Sequence, residues 1–241
     1  MSSDEAMTHD HAQPIRALRD ASARRRDWLV ETIASLARIE SPSGDVEALA
    51  RCGDAVVSLL ADAGARAERL PRPGAGAHVR ATMGSGTRQV LLLGHFDTVW
   101  PIGTLDRMPV EIRDGRLHGP GTFDMKAGLT IAVAAATLAA PHVANLRVRF
   151  LFTTDEEIGS ATSRALIEEE ARASDAVLVF EPALPGGALK TARKGVGTFR
   201  LDVHGVSAHA GIAPQDGASA ITELARQIVA LDALRAPDRG T

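Results

Sequence analysis

The chain has 241 residues, 45% of them apolar and 24% charged, and a formal net charge of −3 from 27 basic and 30 acidic side chains. That balance leaves no basic footprint for nucleic acid or an anionic membrane, and the length suits one large domain, or one domain and part of a second. The single cysteine, Cys52, excludes an internal disulfide framework and any thiolate-cluster metal site, so a metal here has to be held by His, Asp and Glu.

Residues 1–14 (MSSDEAMTHDHAQP) are polar and acidic, lack the apolar run of an export signal, and read as a disordered terminus. A cytoplasmic protein is expected. Residues 15–38 carry apolar side chains at helical spacing and stop before Ser41-Pro42-Ser43-Gly44. A second amphipathic helix is predicted over 45–64, with Gly64 as its stop. Short strands are predicted at 66–70 and 78–83, then a continuous apolar strand at 89–93 (QVLLL), of the kind buried on both faces of a sheet. Residues 111–118 read as a hairpin around Asp114-Gly115. A helix over 125–140 follows. Its apolar run, 127–140, is too short and too rich in alanine to span a bilayer and fits a buried position. A strand at 146–153, a helix at 161–172 and a strand at 176–180 complete an α/β domain with a mostly parallel central sheet and flanking helices, spanning 15–190.

After Pro185-Gly186-Gly187 the pattern changes. Residues 196–204 (VGTFRLDVH) alternate apolar and polar, predicting a strand with one wet face, and 218–234 predicts an amphipathic helix. Residues 191–241 therefore read as the opening of a smaller α+β domain. One strand and one helix cannot close such a layer, so the chain is expected to be truncated.

Chemistry-bearing residues cluster just after the predicted strands or in loops beside them. His95-Phe96-Asp97 puts an imidazole and a carboxylate on one side of extended backbone, where the acid can orient a metal-binding ring. Asp124 lies in a glycine-rich loop at a helix start. Asp155, Glu156 and Glu157 follow the strand at 146–153, and Glu181 follows the one at 176–180. Each alone is ordinary: Asp124 could cap a helix, and a run of acids suits a helix N-terminus. Together, at neighbouring carboxyl ends of strands, they would repel one another without cations between them. Oxygen and nitrogen donors without thiolate suit a hydrolytic zinc pair or related divalent ions.

The stretches IESPSG (39–44), GHFDTVWPIGTL (94–105), GPGTFDMKAG (119–128), TTDEEIGS (153–160), FEPA (180–183) and GVSAHAG (205–211) resemble, in order, the M20 family of metallopeptidases on its glutamate carboxypeptidase-like branch. The resemblance implies a di-zinc exopeptidase-like catalytic domain over 15–190 and a dimerisation, or lid, domain from 191. It implies two Zn²⁺ per site, with Co²⁺ or Mn²⁺ as alternatives, and a homodimer of the full-length protein. Asp124 would bridge the metals, His95 and Glu181 would bind one and Glu157 the other. Glu156 would be the general base and Asp97 the partner of the histidine ligand. His209 would reach the partner subunit's active site and stabilise the oxyanion. His118 and His142 match nothing and are taken as structural or surface residues.

Family members continue past this length and end the ligand set with a later histidine, whereas none follows His209 here. The implied reaction is release of a C-terminal amino acid such as glutamate from a small peptide. A deacylase of N-acyl amino acids is the second expectation, and an inactive remnant the third. The 241-residue chain alone is expected to be poorly soluble, to hold at most one metal tightly and to lack peptidase activity. Should it prove active, His118 or His204 would be the first replacements for the missing ligand. No nucleic acid or membrane partner is expected.

Overall fold

The computed structural model describes residues 15–239, so the reading of 1–14 as disordered lies outside the described residues. The chain forms two compact units that divide between Leu189 and Lys190.

The first unit opens with α1 (15–24) and α2 (Arg26–Ala37), where one helix was expected; they are separated at Arg25, whose backbone leaves helical geometry (φ −92°, ψ 7°). The next helix, α3 (Val46–Asp62), is capped by Asp45, which accepts the Ala48 amide at 2.9 Å. Strands β1 (Arg66–Arg72), β2 (Gly76–Met83) and β3 (Arg88–His95) follow, then the hairpin strands β4 (Glu111–Arg113) and β5 (Arg116–His118) around Asp114-Gly115. Both turn residues have positive φ, 52° and 72°, as a two-residue hairpin turn of primed type needs. Then come α4 (Ala127–Ala139), β6 (Leu146–Thr153), α5 (Arg164–Arg172) and β7 (Ala176–Val179).

The main sheet has five strands in the order β1-β2-β6-β3-β7. Strands β6, β3 and β7 are parallel, and β1 and β2 add an antiparallel pair at one edge, so the sheet is mixed rather than parallel throughout. The chain leaves β3 through α4 to reach β6, then crosses through α5 to β7 on the other side of β3. Successive residues of β3 face opposite ways. Val90 and Leu92 join the large core with α3 and α4, whereas Leu91 packs with Leu151 and Leu166 beneath α5. Helices thus cover both faces, and the reversal around β3 opens a crevice at the strands' carboxyl ends. Phe150 and Phe152 are fully buried and stack edge to face at 5.9 Å. Each contributes about 1.5–3 kcal/mol by removing its ring from water.

The span Thr122–His142 around α4, whose backbone leaves helical geometry at Asp124 and Met125, has mean hydropathy 1.4 over its most apolar window and is by length and composition alone long and apolar enough to cross a membrane. Half of that window is buried inside the unit, where Leu129, Ala132, Val133 and Ala136 belong to the core. The sequence reading stopped short of this length because it ended the helix at the apolar run.

The second unit contains α6 (Ala220–Asp232), whose N-terminus is capped by Ser219 accepting the Thr222 amide at 3.1 Å. The strand expected over 196–204 does not form. The only strand-type pairing among the described residues of this unit is the bridge Val206–Ala218, and Val196 and Phe199 are almost fully exposed. Alternation marks a face that could be buried, but a strand needs a partner for its backbone groups.

Candidate metal centre

At the carboxyl end of β3 the backbone stays paired for one more residue, the Phe96 amide donating to Thr153 O at 3.0 Å. Beyond it the loop before α3 docks alongside. Thr98 N donates to Ser41 O, Ser43 N donates to Thr98 O, and Ser41 Oγ donates to Phe96 O at 2.6 Å. The segment 39–44 thus holds the His-Phe-Asp turn in place.

Asp97 is completely buried and joins three parts of the chain. Its Oδ2 accepts Ser43 Oγ at 2.7 Å and the Glu157 amide at 3.2 Å, and its Oδ1 accepts the Glu156 amide at 3.3 Å. The acidic loop is thereby fastened over the end of β3. His95 Nδ1 lies 3.0 Å from the Asp97 carbonyl oxygen and 3.3 Å from its Oδ1. Both are acceptors, so Nδ1 carries the proton and Nε2 of a neutral ring offers a lone pair.

That Nε2 is buried and makes no hydrogen bond. It faces Asp124 Oδ1 at 3.3 Å, Glu181 Oε1 at 3.3 Å and Glu156 Oε2 at 3.7 Å. A lone pair directed at a ring of carboxylates is stable only with a positive charge between them, whether a proton or a metal cation. Burial alone would lower the pKa of His95, yet the carboxylates of Asp97, Glu181 and Glu156 outweigh it and push the ring up to about 11. His95, Asp124 and Glu181 each present a ligand atom, and these atoms lie within 4.8 Å of one another. The donor set suits a borderline divalent ion such as zinc.

Asp124 stands in a turn between Gly121 (φ 68°) and α4, and the Asp124–Met125 peptide is cis. Lys126, fully buried beside it, donates from Nζ to Leu36 O at 3.1 Å and Ile39 O at 2.7 Å, which anchors the turn to the end of α2. Glu40 accepts the amides of Gly103 (2.9 Å) and Leu105 (3.0 Å) and so pins the loop that follows the His-Phe-Asp turn. The Gly103 amide holds the Glu40 carboxyl below its ordinary range, against the opposing effect of burial.

Burial raises the pKa of Glu156. His95 pulls it back down, and the carboxylates of Glu181, Asp97 and Asp124 push it up again. Glu157 is raised as well, first by burial and then by Asp124. Of the residues singled out in the sequence, the structure brings together His95, Asp97, Asp124, Glu156 and Glu181. The Glu157 carboxyl stands in the field of Asp124 but is not one of the three mutually close ligand groups. His209 is exposed in the second unit, with Nδ1 accepting the Gly211 amide at 3.1 Å. Sequence reasoning gave no role to Ser41, Ser43, Glu40 or Lys126; the matches of 39–44 and 119–128 to the M20 pattern were the signals that pointed there.

Residues 91–240 match the model of peptidase family M20/M25/M40. The chain belongs to this family. M20 proteins are metal-dependent hydrolases, in keeping with the donor set at His95. Carboxypeptidase G2 from Pseudomonas sp. (strain RS-16) is 33% identical over 211 residues, covering 84% of this chain and 50% of its own. Succinyl-diaminopimelate desuccinylase from Xanthomonas oryzae pv. oryzae (strain PXO99A) is 34% identical over 173 residues, covering 66% of this chain and 46% of its own. This M20 chain therefore spans about half the length of the curated relatives it matches. The crystal structure of aminopeptidase PepT from Bacillus cereus has the same fold, with a TM-score of 0.60 and 22% identity over 83% of this chain and 55% of that one.

Proposed function

We propose that the protein is a zinc-dependent hydrolase of amide bonds that releases a C-terminal amino acid, such as glutamate, from a small peptide. The carrying observation is the buried, unbonded Nε2 of His95 facing the carboxylates of Asp124, Glu181 and Glu156. His95, Asp124, Glu181 and Glu157 would hold two zinc ions; Co²⁺ or Mn²⁺ would suit the same donors. When bound, the metal supplies Lewis-acid polarisation of the scissile carbonyl and makes water more acidic. Asp97 keeps the proton of His95 on Nδ1. Glu156 takes a proton from the attacking water at its carboxylate and delivers it to the leaving nitrogen.

His209 is assigned to the oxyanion, reached from a second copy of the chain in a homodimer. The likeness to carboxypeptidase G2 supports the carboxypeptidase reading. The likeness to a desuccinylase favours a second one, removal of an acyl group from an N-acyl amino acid.

A panel of peptides ending in glutamate and of N-succinyl and N-acetyl amino acids, assayed with added zinc, separates the two readings by their turnover. A zinc-loaded protein of the length of the curated relatives that turns over neither class refutes both. Mixing inactive Glu156→Gln and His209→Ala chains would restore turnover if His209 acts across a dimer, because one site in each mixed pair then has both groups. No recovery would refute that role.

A further inference from the structure

The acidic loop is also fastened from beneath, by a residue that belongs to none of the motifs. His78 on β2 is completely buried, with Nδ1 3.0 Å from Thr154 Oγ1 and Nε2 3.2 Å from Thr162 Oγ1. Thr154 donates its one hydroxyl proton to Ala75 O at 2.6 Å, so its contact with the ring requires the proton on Nδ1. Burial holds the pKa of His78 below the ordinary imidazole value, and Nε2 lies against the Thr162 hydroxyl, which donates its one proton to Asp155 Oδ2. That hydroxyl also lies 2.8 Å from Asp155 Oδ2, which accepts the amides of Thr162 at 2.7 Å and Ser163 at 3.2 Å.

We propose that His78 is a positioning residue for the metal centre: by joining Thr154 to Thr162 it fixes both ends of the segment that carries Glu156 and Glu157. This deepens the reading of Glu156 as base and Glu157 as ligand, and rests on it. A buried imidazole costs free energy unless its polar atoms find partners, and here Nδ1 is bonded to Thr154 while Nε2 lies against Thr162, at opposite ends of one loop. The loop's upper edge is held by two long contacts to Asp97, at 3.3 and 3.2 Å. Between these edges the chain turns tightly, with Gly159 N donating to Glu156 O and Ser160 N to Asp155 O. A shift at the lower edge is therefore passed directly to the two glutamates. An apolar side chain at position 78 could fill the space but could not fix that register.

The test uses the metal-free chain for hydrogen exchange and the same chain for zinc titration. In His78→Leu, exchange across 154–163 speeds up while 146–153 keeps its protection, and the zinc dissociation constant rises about tenfold or more, as for other residues that support metal ligands. His78→Asn, which retains a donor near the Nδ1 position, recovers part of both effects. Thr162→Val, at the half-buried end of the chain of bonds, reproduces the loss if His78→Leu fails to fold. The double variant is no worse than the worse single one, because both break the same link. Unchanged exchange overturns the proposal, and so does faster exchange with unchanged zinc affinity, since His78 would then serve stability alone. A wild-type chain that binds no zinc refutes the metal centre itself and the role of His78 with it, whatever the exchange shows.

Discussion

At the level of single side chains, Asp97 receives Ser43 Oγ and the amides of Glu156 and Glu157 on a carboxylate that solvent does not reach, while its backbone oxygen orients His95. Ligand support and base placement therefore share one anchor, yet the two glutamates beside it have separable roles. In a protein of the length of the curated relatives, Glu156→Gln should abolish turnover and leave zinc content nearly unchanged, whereas Glu157→Gln should lose metal; zinc analysis of both purified variants checks this, and the reverse pattern would exchange the assignments. In the metal-free protein, burial keeps the Glu156 carboxyl protonated to a higher pH than an ordinary glutamate. Asp155 behaves differently. Burial opposes its ionisation, but the hydrogen bonds from Ser163 and Thr162 prevail and hold its carboxyl low. A carboxyl depressed on folding stabilises the protein above its unfolded pKa, about 3.9, and that contribution fades as pH falls through the folded value. Asp155→Asn should thus cost about 2 kcal/mol at neutral pH, and the gap to wild type should narrow below about pH 3.9. Urea midpoints at both ends of that range provide the measurement.

Among the elements, the contact between α4 and the end of β7 is the closest that bears on the site. A Cβ added at Gly128 would run into the carbonyl of Phe180, the residue before Glu181. Gly128→Ala should therefore cost about 1–3 kcal/mol as overpacking and also weaken zinc binding by displacing Glu181. Thermal melting and zinc titration of the variant test both, and unchanged zinc affinity would show that the backbone yields elsewhere. Much of this architecture was legible in the sequence. The apolar run at 89–93 gave β3, the alternation to helical spacing gave α3, and the acids after strands gave the site, because hydrophobic period and local motifs report which face is buried and where a chain turns. They do not report which distant segment arrives there. His78, Lys126 and Glu40 take their meaning from partners 76, 87 and 63 residues away. For the same reason, the antiparallel β1-β2 edge and the unformed strand at 196–204 could not be read from pattern alone.

For the molecule as a whole, a cation that binds only the folded centre has to stabilise the fold. With free zinc at a hundred times the dissociation constant the gain should be about 2.7 kcal/mol, reversed by a chelator and largely absent in an Asp124→Ala variant. Denaturant unfolding with and without zinc checks this. The placement of β3 between β6 and β7 has a consequence in time as well as in space. His95 leaves the end of β3 while the acidic loop and Glu181 follow strands on either side of it, so no short stretch of chain contains a usable set of ligands. Loop closure must bring all three strands together before a cation finds its donors. Zinc should therefore slow unfolding several-fold while leaving the refolding rate nearly untouched, because its interactions form after the folding barrier has been crossed. Rapid-mixing kinetics at fixed zinc would show this, and a matching acceleration of refolding would mean that the metal takes part in nucleating the sheet.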